Sequence, residues 1–274
     1  MRLIRTPITR IGGKGLVTNW LKGFIPEHVT YCEPFAGSAS LLFVKEPSRV
    51  EILNDIDSIL IEFFKAIKNE RDRQDLIKEL ESMPYSRILW QTIRTRWKED
   101  QKPLEYIKCL SEWFYLNRST FSGDMRYGGF ATPSTTGRNP AQTFRNAVES
   151  LEAASERLKY ATVECLDYAE CIRRYDSENT FFYIDAPYSG SEAYYGDSFA
   201  ENDHFGLAEL LRGIKGRCMV SHYSSVVYDG LYADFNRYEY QSFKGSYKSS
   251  GEKKPKTVEA IYCNFEIQKV LTGF

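Results

Sequence analysis

Short apolar runs that stop abruptly at polar or turn residues alternate along this chain with longer stretches whose apolar positions recur at helical spacing. Tyr31–Phe43 reads as a strand ending near Cys32, a turn at Gly37 and Ser38, and a helix from Ala39 to Val44. Val50–Ile56 predicts a second strand that closes at Asn54-Asp55, and Ala161–Tyr168 a third that closes at Asp167-Tyr168. In Thr180–Gly190 the run Phe181, Phe182, Tyr183, Ile184 ends at Asp185, as a buried strand followed by a turn would. Arg217–His222, Tyr238–Phe243 and Val258–Phe265 complete the strands. Helices are predicted over Leu16–Phe24, Ser58–Lys68, Pro103–Asn117, Ala141–Lys159 and Asp203–Ile214, and in the charged stretch Asn69–Asp100. Strands alternating with helices imply an α/β fold with a largely parallel sheet, where ligands sit beyond the carboxyl ends of the strands.

Composition changes this picture little. The 274 residues carry a formal net charge of −1, so any nucleic-acid surface must be local. Six cysteines form no C-x-x-C pair and read as reduced structural thiols, and the three histidines have no metal-ligand spacing. The N-terminal stretch lacks the apolar segment of a signal peptide, no run reaches the ~20 apolar residues of a membrane span, and no internal repeat is visible.

The candidate chemistry gathers at the strand ends. Asp185 and Tyr188 follow the central apolar run, where a reacting group would sit. Gly12-Gly13-Lys14 is a glycine turn with a cation but not a Walker loop. Gly37 with Glu33 and Phe35 suits a ligand carrying an ammonium and an adenosine rather than a phosphate cradle. Asp55 stands where ribose hydroxyls are commonly bound, or else caps the helix from Ser58. Asn117–Pro140 is rich in Gly, Ser, Thr and Pro, with Arg118, Arg126, Arg138 and the rings of Phe121, Tyr127 and Phe130 interleaved. That mixture suits backbone phosphates and unstacked bases, or an ordinary surface loop. The lysine-rich stretch around Lys248 is either a phosphate contact or a hairpin tip.

These segments together resemble the Dam-type, class-alpha DNA adenine-N6 methyltransferases over nearly the full length. Gly12-Gly13-Lys14 is similar to the first cofactor motif of that family, and Glu33-Pro34-Phe35-Ala36-Gly37-Ser38 to its E-P-F-x-G motif. Asn54-Asp55 is similar to its acidic strand end, and Phe114–Arg118 to the entry of its DNA-reading hairpin. Asp185-Ala186-Pro187-Tyr188 stands where the family has D-P-P-Y, and 249–259 resembles its last hairpin. Three positions depart: Arg10 replaces an aromatic, Ala39 a glycine, and Ala186 the first proline.

The resemblance implies a seven-stranded, Rossmann-like methyltransferase sheet with an antiparallel final strand. It implies a catalytic part at 1–55 and 146–274 and an inserted helical target-recognition lobe at 56–145 with hairpin 117–140. The donor would be S-adenosylmethionine, held by Gly12, Gly13, Lys14, Glu33, Phe35, Gly37, Asp55, Asp167 and Asp185. Asp185, Ala186, Pro187 and Tyr188 would act on a flipped adenine. Asn117, Arg118, Phe121, Arg126, Tyr127, Arg138 and Lys248 would hold double-stranded DNA, with Arg126 at a base and Phe121 as a wedge. A bacterial or phage-infected cytosol, a cognate restriction nuclease and no stable protein partner are the matching expectations. No Pro-Cys pair supports a cytosine-C5 enzyme, and Asp185 disfavours cytosine-N4 and protein-glutamine or ribosomal RNA chemistry. The rival from another class is a DNA-binding homologue weakened or silenced by Ala186.

Overall fold

The computed structural model describes residues 6–10, 17–188, 199–243 and 256–267. Seven strands form one sheet: β1 (Thr30–Glu33), β2 (Val50–Asn54), β3 (Ala161–Glu164), β4 (Thr180–Ile184), β5 (Arg217–Tyr223), β6 (Asn236–Phe243) and β7 (Lys256–Cys263), in the order β3-β2-β1-β4-β5-β7-β6. β1 runs parallel to β2 and β4, and β4 parallel to β5. β7 is antiparallel to both β5 and β6, as expected of the last strand. All five residues of β4 are buried, which is why its sequence is continuously apolar rather than alternating. β1 carries the chain towards β2 and β4 lies on its other side, so the strand order reverses between β1 and β4. Such a reversal leaves a crevice at the carboxyl ends.

The chain divides into two compact units. One comprises 16–36, 45–56 and 164–274, and holds most of the sheet. Its core packs Cys32, Ile52, Phe182, Ile184, Val220 and Tyr262 of the strands against Leu207 and Leu211 of a helix at Glu201–Arg212. The helices Tyr168–Tyr175 and Val226–Leu231 also belong to it. The other unit comprises 1–15, 37–44 and 57–163 and is mainly helical. Its helices are Ser40–Val44, Ser58–Lys68, Glu70–Ser82, Arg87–Lys98, Tyr106–Ser119, Pro140–Glu149 and Leu151–Leu158. The helix Tyr106–Ser119 runs through its middle, with Leu110 to Asn117 all buried. Phe63 stacks on Phe114 at 5.2 Å and lies 5.1 Å from the Trp113 ring, and Tyr115 meets Phe144 edge-on. Rings of this size supply much of a small core's burial.

The structure corrects several expected boundaries. The strand read to Tyr168 ends at Glu164, and Asp167 instead caps the following helix by accepting from the Ala169 amide at 2.8 Å. The stretch Ala141–Lys159 is two helices meeting at Ser150. The helix expected to end at Asn117 continues to Ser119, since Thr120 N–H still reaches the Leu116 carbonyl. Asn117 and Arg118 therefore sit on a helix turn, not in the loop. The short helix Val226–Leu231 escaped the pattern; Ser225 caps it through the Tyr228 amide. Gly12, Gly13, Lys14 and Lys248 lie outside the described residues, as do 191–198 of the loop expected at Ser191–Asn202.

Candidate functional site

Within the sheet-bearing unit, one asparagine ties the strand ends together. Asn54 closes β2 and is fully buried. Its amide nitrogen donates to the Pro34 carbonyl at 2.9 Å and to the Leu166 carbonyl at 3.0 Å, and its oxygen accepts from Leu166 N–H at 2.8 Å. The side chain thus fixes the exits of β1 and β3 against β2. The Ala36 amide reaches the Asn54 carbonyl at 2.8 Å and holds the start of the glycine turn. Glu33 is buried at the end of β1, where the Tyr31 hydroxyl donates to it at 2.7 Å. Burial, and then the Glu33 carboxylate, push the Tyr31 hydroxyl well above the ordinary tyrosine range, so it stays a donor.

Asp55 is half-buried, and the helix-cap reading of it falls away. The helix Ser58–Lys68 is capped by Asp57, whose side chain accepts from the Leu60 amide. Asp57 also takes an ion pair from Arg10 at 2.5 Å, and this is where the departure at Arg10 leads. Beyond the strands, Phe35 stacks on Tyr168 at 5.2 Å and 26°, and Phe199 meets both rings edge-on at 5.6 and 5.7 Å. Nothing in the sequence pattern marks Tyr168 and Phe199 as site residues. Their signal was only an aromatic after each of two acidic or polar turns.

Gly37 has φ +48° with nothing within 4 Å of where a Cβ would stand, so its need for glycine is conformational. Ala39, the second departure, is held at φ +52° and fully buried. A left-handed alanine costs about 1 kcal/mol that a glycine would not.

Asp185 follows the last residue of β4 and is half-buried. Ser221 of β5 donates to its Oδ1 at 2.9 Å. Ala186 is buried in the core cluster, and Pro187 and Tyr188 lie partly exposed beyond it. Tyr188 is held from three directions: its hydroxyl donates to Glu259 of β7 at 3.3 Å, its ring lies 4.4 Å from His222 at a 35° tilt, and Tyr223 meets it edge-on at 4.8 Å. His222 stacks in turn on Tyr228 at 3.4 Å, whose hydroxyl pairs with Nδ1 of His204 at 2.5 Å. Pattern reading attached no role to His222, because a buried histidine at a strand end carries no spacing signal.

The loop that follows Tyr106–Ser119 belongs to the helical unit. Its base is closed by the antiparallel bridge Thr120–Phe130, with Phe121 N–H to the Gly129 carbonyl at 2.8 Å and Ala131 N–H to that of Ser119 at 2.8 Å. Phe130 packs on Tyr85 and Trp90, and Arg87 lies over its ring at 5.0 Å. Asn117 is buried, and its amide makes paired bonds to the Thr9 backbone at 2.7 and 2.9 Å. Gly123 has φ +68°, and a Cβ there would stand 2.5 Å from the Thr9 carbonyl oxygen, so the chain crosses too closely for any side chain.

Arg118 donates to the Thr9 hydroxyl at 2.5 Å, and no carboxylate pairs with it among the described residues. Burial lowers its guanidinium from the ordinary arginine range. Asp124 accepts from the amides of Arg126 and Tyr127 at 3.2 and 2.8 Å and so shapes the tip. Arg126 is exposed and lies 5.5 Å from the exposed Tyr127 ring. Arg138 lies 5.6 Å over Phe121.

Among the described residues no group of His, Cys, Asp and Glu could hold a metal ion, and no helix is long and apolar enough to cross a membrane. The chain is 27% identical over 229 residues to the type II methyltransferase M.CviBI of Paramecium bursaria Chlorella virus NC1A, covering 80% of this chain and 84% of that protein. It is 26% identical over 258 residues to the retron Ec67 DNA adenine methylase of Escherichia coli, covering 90% of this chain and 87% of that one. The family model for the D12 class N6 adenine-specific DNA methyltransferase matches residues 11–259, nearly all of the sequence, and the chain belongs to that family of DNA adenine methyltransferases.

Proposed function

We propose that the chain transfers a methyl group from S-adenosylmethionine to N6 of an adenine flipped out of a specific double-stranded DNA sequence, with Asp185 at the centre of the reaction. The observation that carries this reading is the Asp185 carboxylate, fixed by Ser221 at the tip of the central buried strand. The residues present suit the donor. The Phe35–Tyr168 stack with Phe199 at its edge matches an adenine ring, and Asp55, not used as a helix cap, matches ribose hydroxyls. Glu33 and Asp167 are further acceptors, and Gly37 gives the turn after β1 its left-handed step. We assign Gly12, Gly13 and Lys14 to the same task by family resemblance alone. When bound, the donor supplies a sulfonium-borne methyl that needs no further activation.

An adenine amine is a poor nucleophile because its lone pair is delocalised into the ring. Asp185 accepts from one amino hydrogen and the Ala186 carbonyl from the other, which draws the nitrogen towards a tetrahedral shape. Tyr188, fixed by Glu259 and His222, stacks on the base, and Pro187 restrains Ala186. Positioning and electrostatics are the whole contribution, and no covalent enzyme intermediate is required. Extruding the base costs a few kcal/mol, which contacts to the duplex must offset.

For those contacts we assign the inserted segment 56–145: Arg126 and Tyr127 at the exposed loop tip, Phe121 with Arg138 beside it, and Arg118 towards phosphate. Asn117 supports them by anchoring Thr9 rather than by touching DNA. Lys248 is kept as a phosphate contact. A cognate nuclease directed at the same unmodified sequence, and the cytosol of a bacterium or of a phage-infected cell, remain part of this reading by family resemblance alone.

The test is transfer of radiolabelled methyl to adenine-containing duplexes, followed by sequencing of modified adenines in DNA from cells that express the chain. Label on adenine N6 in one recurrent sequence context is the expected result. DNA binding without transfer at any enzyme concentration would establish the rival reading instead.

A further inference from the structure

We infer that Ser221, with Tyr183 behind it, is a positioning pair that aims the Asp185 carboxylate at the substrate amine. The register dictates the contact. Ile184 of β4 stands level with Val220 of β5, so the next residue of each strand, Asp185 and Ser221, are neighbours at the sheet's edge. Ser221 is buried, and its hydroxyl oxygen lies 2.9 Å from Asp185 Oδ1 and a longer 3.4 Å from the Ile184 carbonyl oxygen, so its single proton goes to the carboxylate. A hydroxyl that donates to a carboxylate keeps its lone pairs for another donor.

The Tyr183 hydroxyl fills that place at 3.1 Å. Burial, and after it the Asp185 charge, push Tyr183 well above the ordinary tyrosine range, which keeps its proton in place. With the Ser221 proton given to the carboxylate, the chain runs from Tyr183 to Ser221 to Asp185. Each donor polarises the next, and one carboxylate oxygen is pinned. Pinning Oδ1 sets the plane of the carboxylate.

The inference rests on the proposed role of Asp185, and the experiment separates the two. Single-turnover and steady-state methyl transfer to duplex DNA is measured for the wild type, Ser221→Ala, Tyr183→Phe and the double variant, with the folded fraction taken from circular dichroism. Loss of a hydrogen bond to a charged group should lower kcat of Ser221→Ala by about tenfold to a hundredfold. KM for DNA and donor should stay within about twofold, the mark of an interaction that matters in the transition state. Tyr183→Phe should lose about two- to fivefold alone and add nothing to Ser221→Ala, because it acts only through that hydroxyl.

A kcat for Ser221→Ala within about twofold of wild type, or a loss carried by KM, would overturn the positioning role. So would independent, multiplying losses in the two single variants. A wild type that methylates no adenine would instead sink the proposed function itself. Should Ser221→Ala fail to fold, Tyr183→Phe decides, with an unchanged kcat counting against the pair.

Discussion

The carboxyl edge of the sheet and the tip of loop 120–130 hold their functional candidates in opposite ways. At the edge, side chains fix side chains and backbone: Asn54 bridges Pro34 and Leu166, Ser221 grips Asp185, and Glu259 and His222 hold Tyr188. At the loop it is the backbone that is fixed, by its own amides and by the Asp124 carboxylate. The Thr120–Phe130 bridge, the turn at Asp124 and the close crossing at Gly123 set the path, and the Tyr127 ring is left 60% exposed. The difference suits the two tasks. Chemistry needs a reacting group pinned to a fraction of an ångström, which packed strand ends provide. Recognition needs side chains that reach outwards from a shaped support.

That contrast can be broken by substitution. Asp185→Ala should lower single-turnover methyl transfer by at least about a hundredfold while DNA affinity, measured by fluorescence anisotropy, hardly moves. A comparable loss of affinity would mean that the edge also carries recognition. Asn54→Ala leaves one amide and two carbonyls without their partner and should cost about 2–3 kcal/mol in urea denaturation. Little change would show that water replaces the side chain and that the edge is less rigid than described.

At the loop, Arg126→Ala should weaken binding to the preferred duplex by about tenfold and relax selectivity at one base pair. Its melting temperature and its turnover at saturating DNA should match the wild type. The smallest effect is expected at Ala186→Pro. Restoring the ring removes backbone freedom worth about 0.4–1 kcal/mol and should raise turnover roughly two- to fivefold. Unchanged or lower turnover would show that Ala186, buried in the core cluster, is fitted to its place.

Much of the edge was legible in the sequence because it depends on local pattern. An apolar run that stops at an acid marks a strand and its exit at once, and Asp185 and the Asn54-Asp55 pair were found that way. The ambiguity at Asp55 comes from two acids close together, Asp55 and Asp57, and only the fold shows which one caps the helix. What the sequence concealed depends on register between strands far apart in the chain. Ser221 lies 36 residues from Asp185, and nothing in either segment announces that β4 and β5 pair at that offset.

The same holds for the Phe35, Tyr168 and Phe199 rings, which come from three segments far apart in the chain. In the loop, the glycines and arginines advertised a turn with cations. The inward use of Asn117 was hidden because a polar residue on the last turn of a helix reads the same whether it faces solvent or anchors a distant backbone.

The central claim is that Asp185 meets the amine being methylated. A crystal structure of the complex with a duplex and a donor analogue that lacks the transferable methyl measures this directly. The account predicts an Asp185 carboxylate oxygen about 2.7–3.2 Å from N6 of an extruded adenine, with the Ala186 carbonyl oxygen at a similar distance. A carboxylate turned away from N6, or an adenine still stacked in its duplex beside a filled donor site, would contradict it.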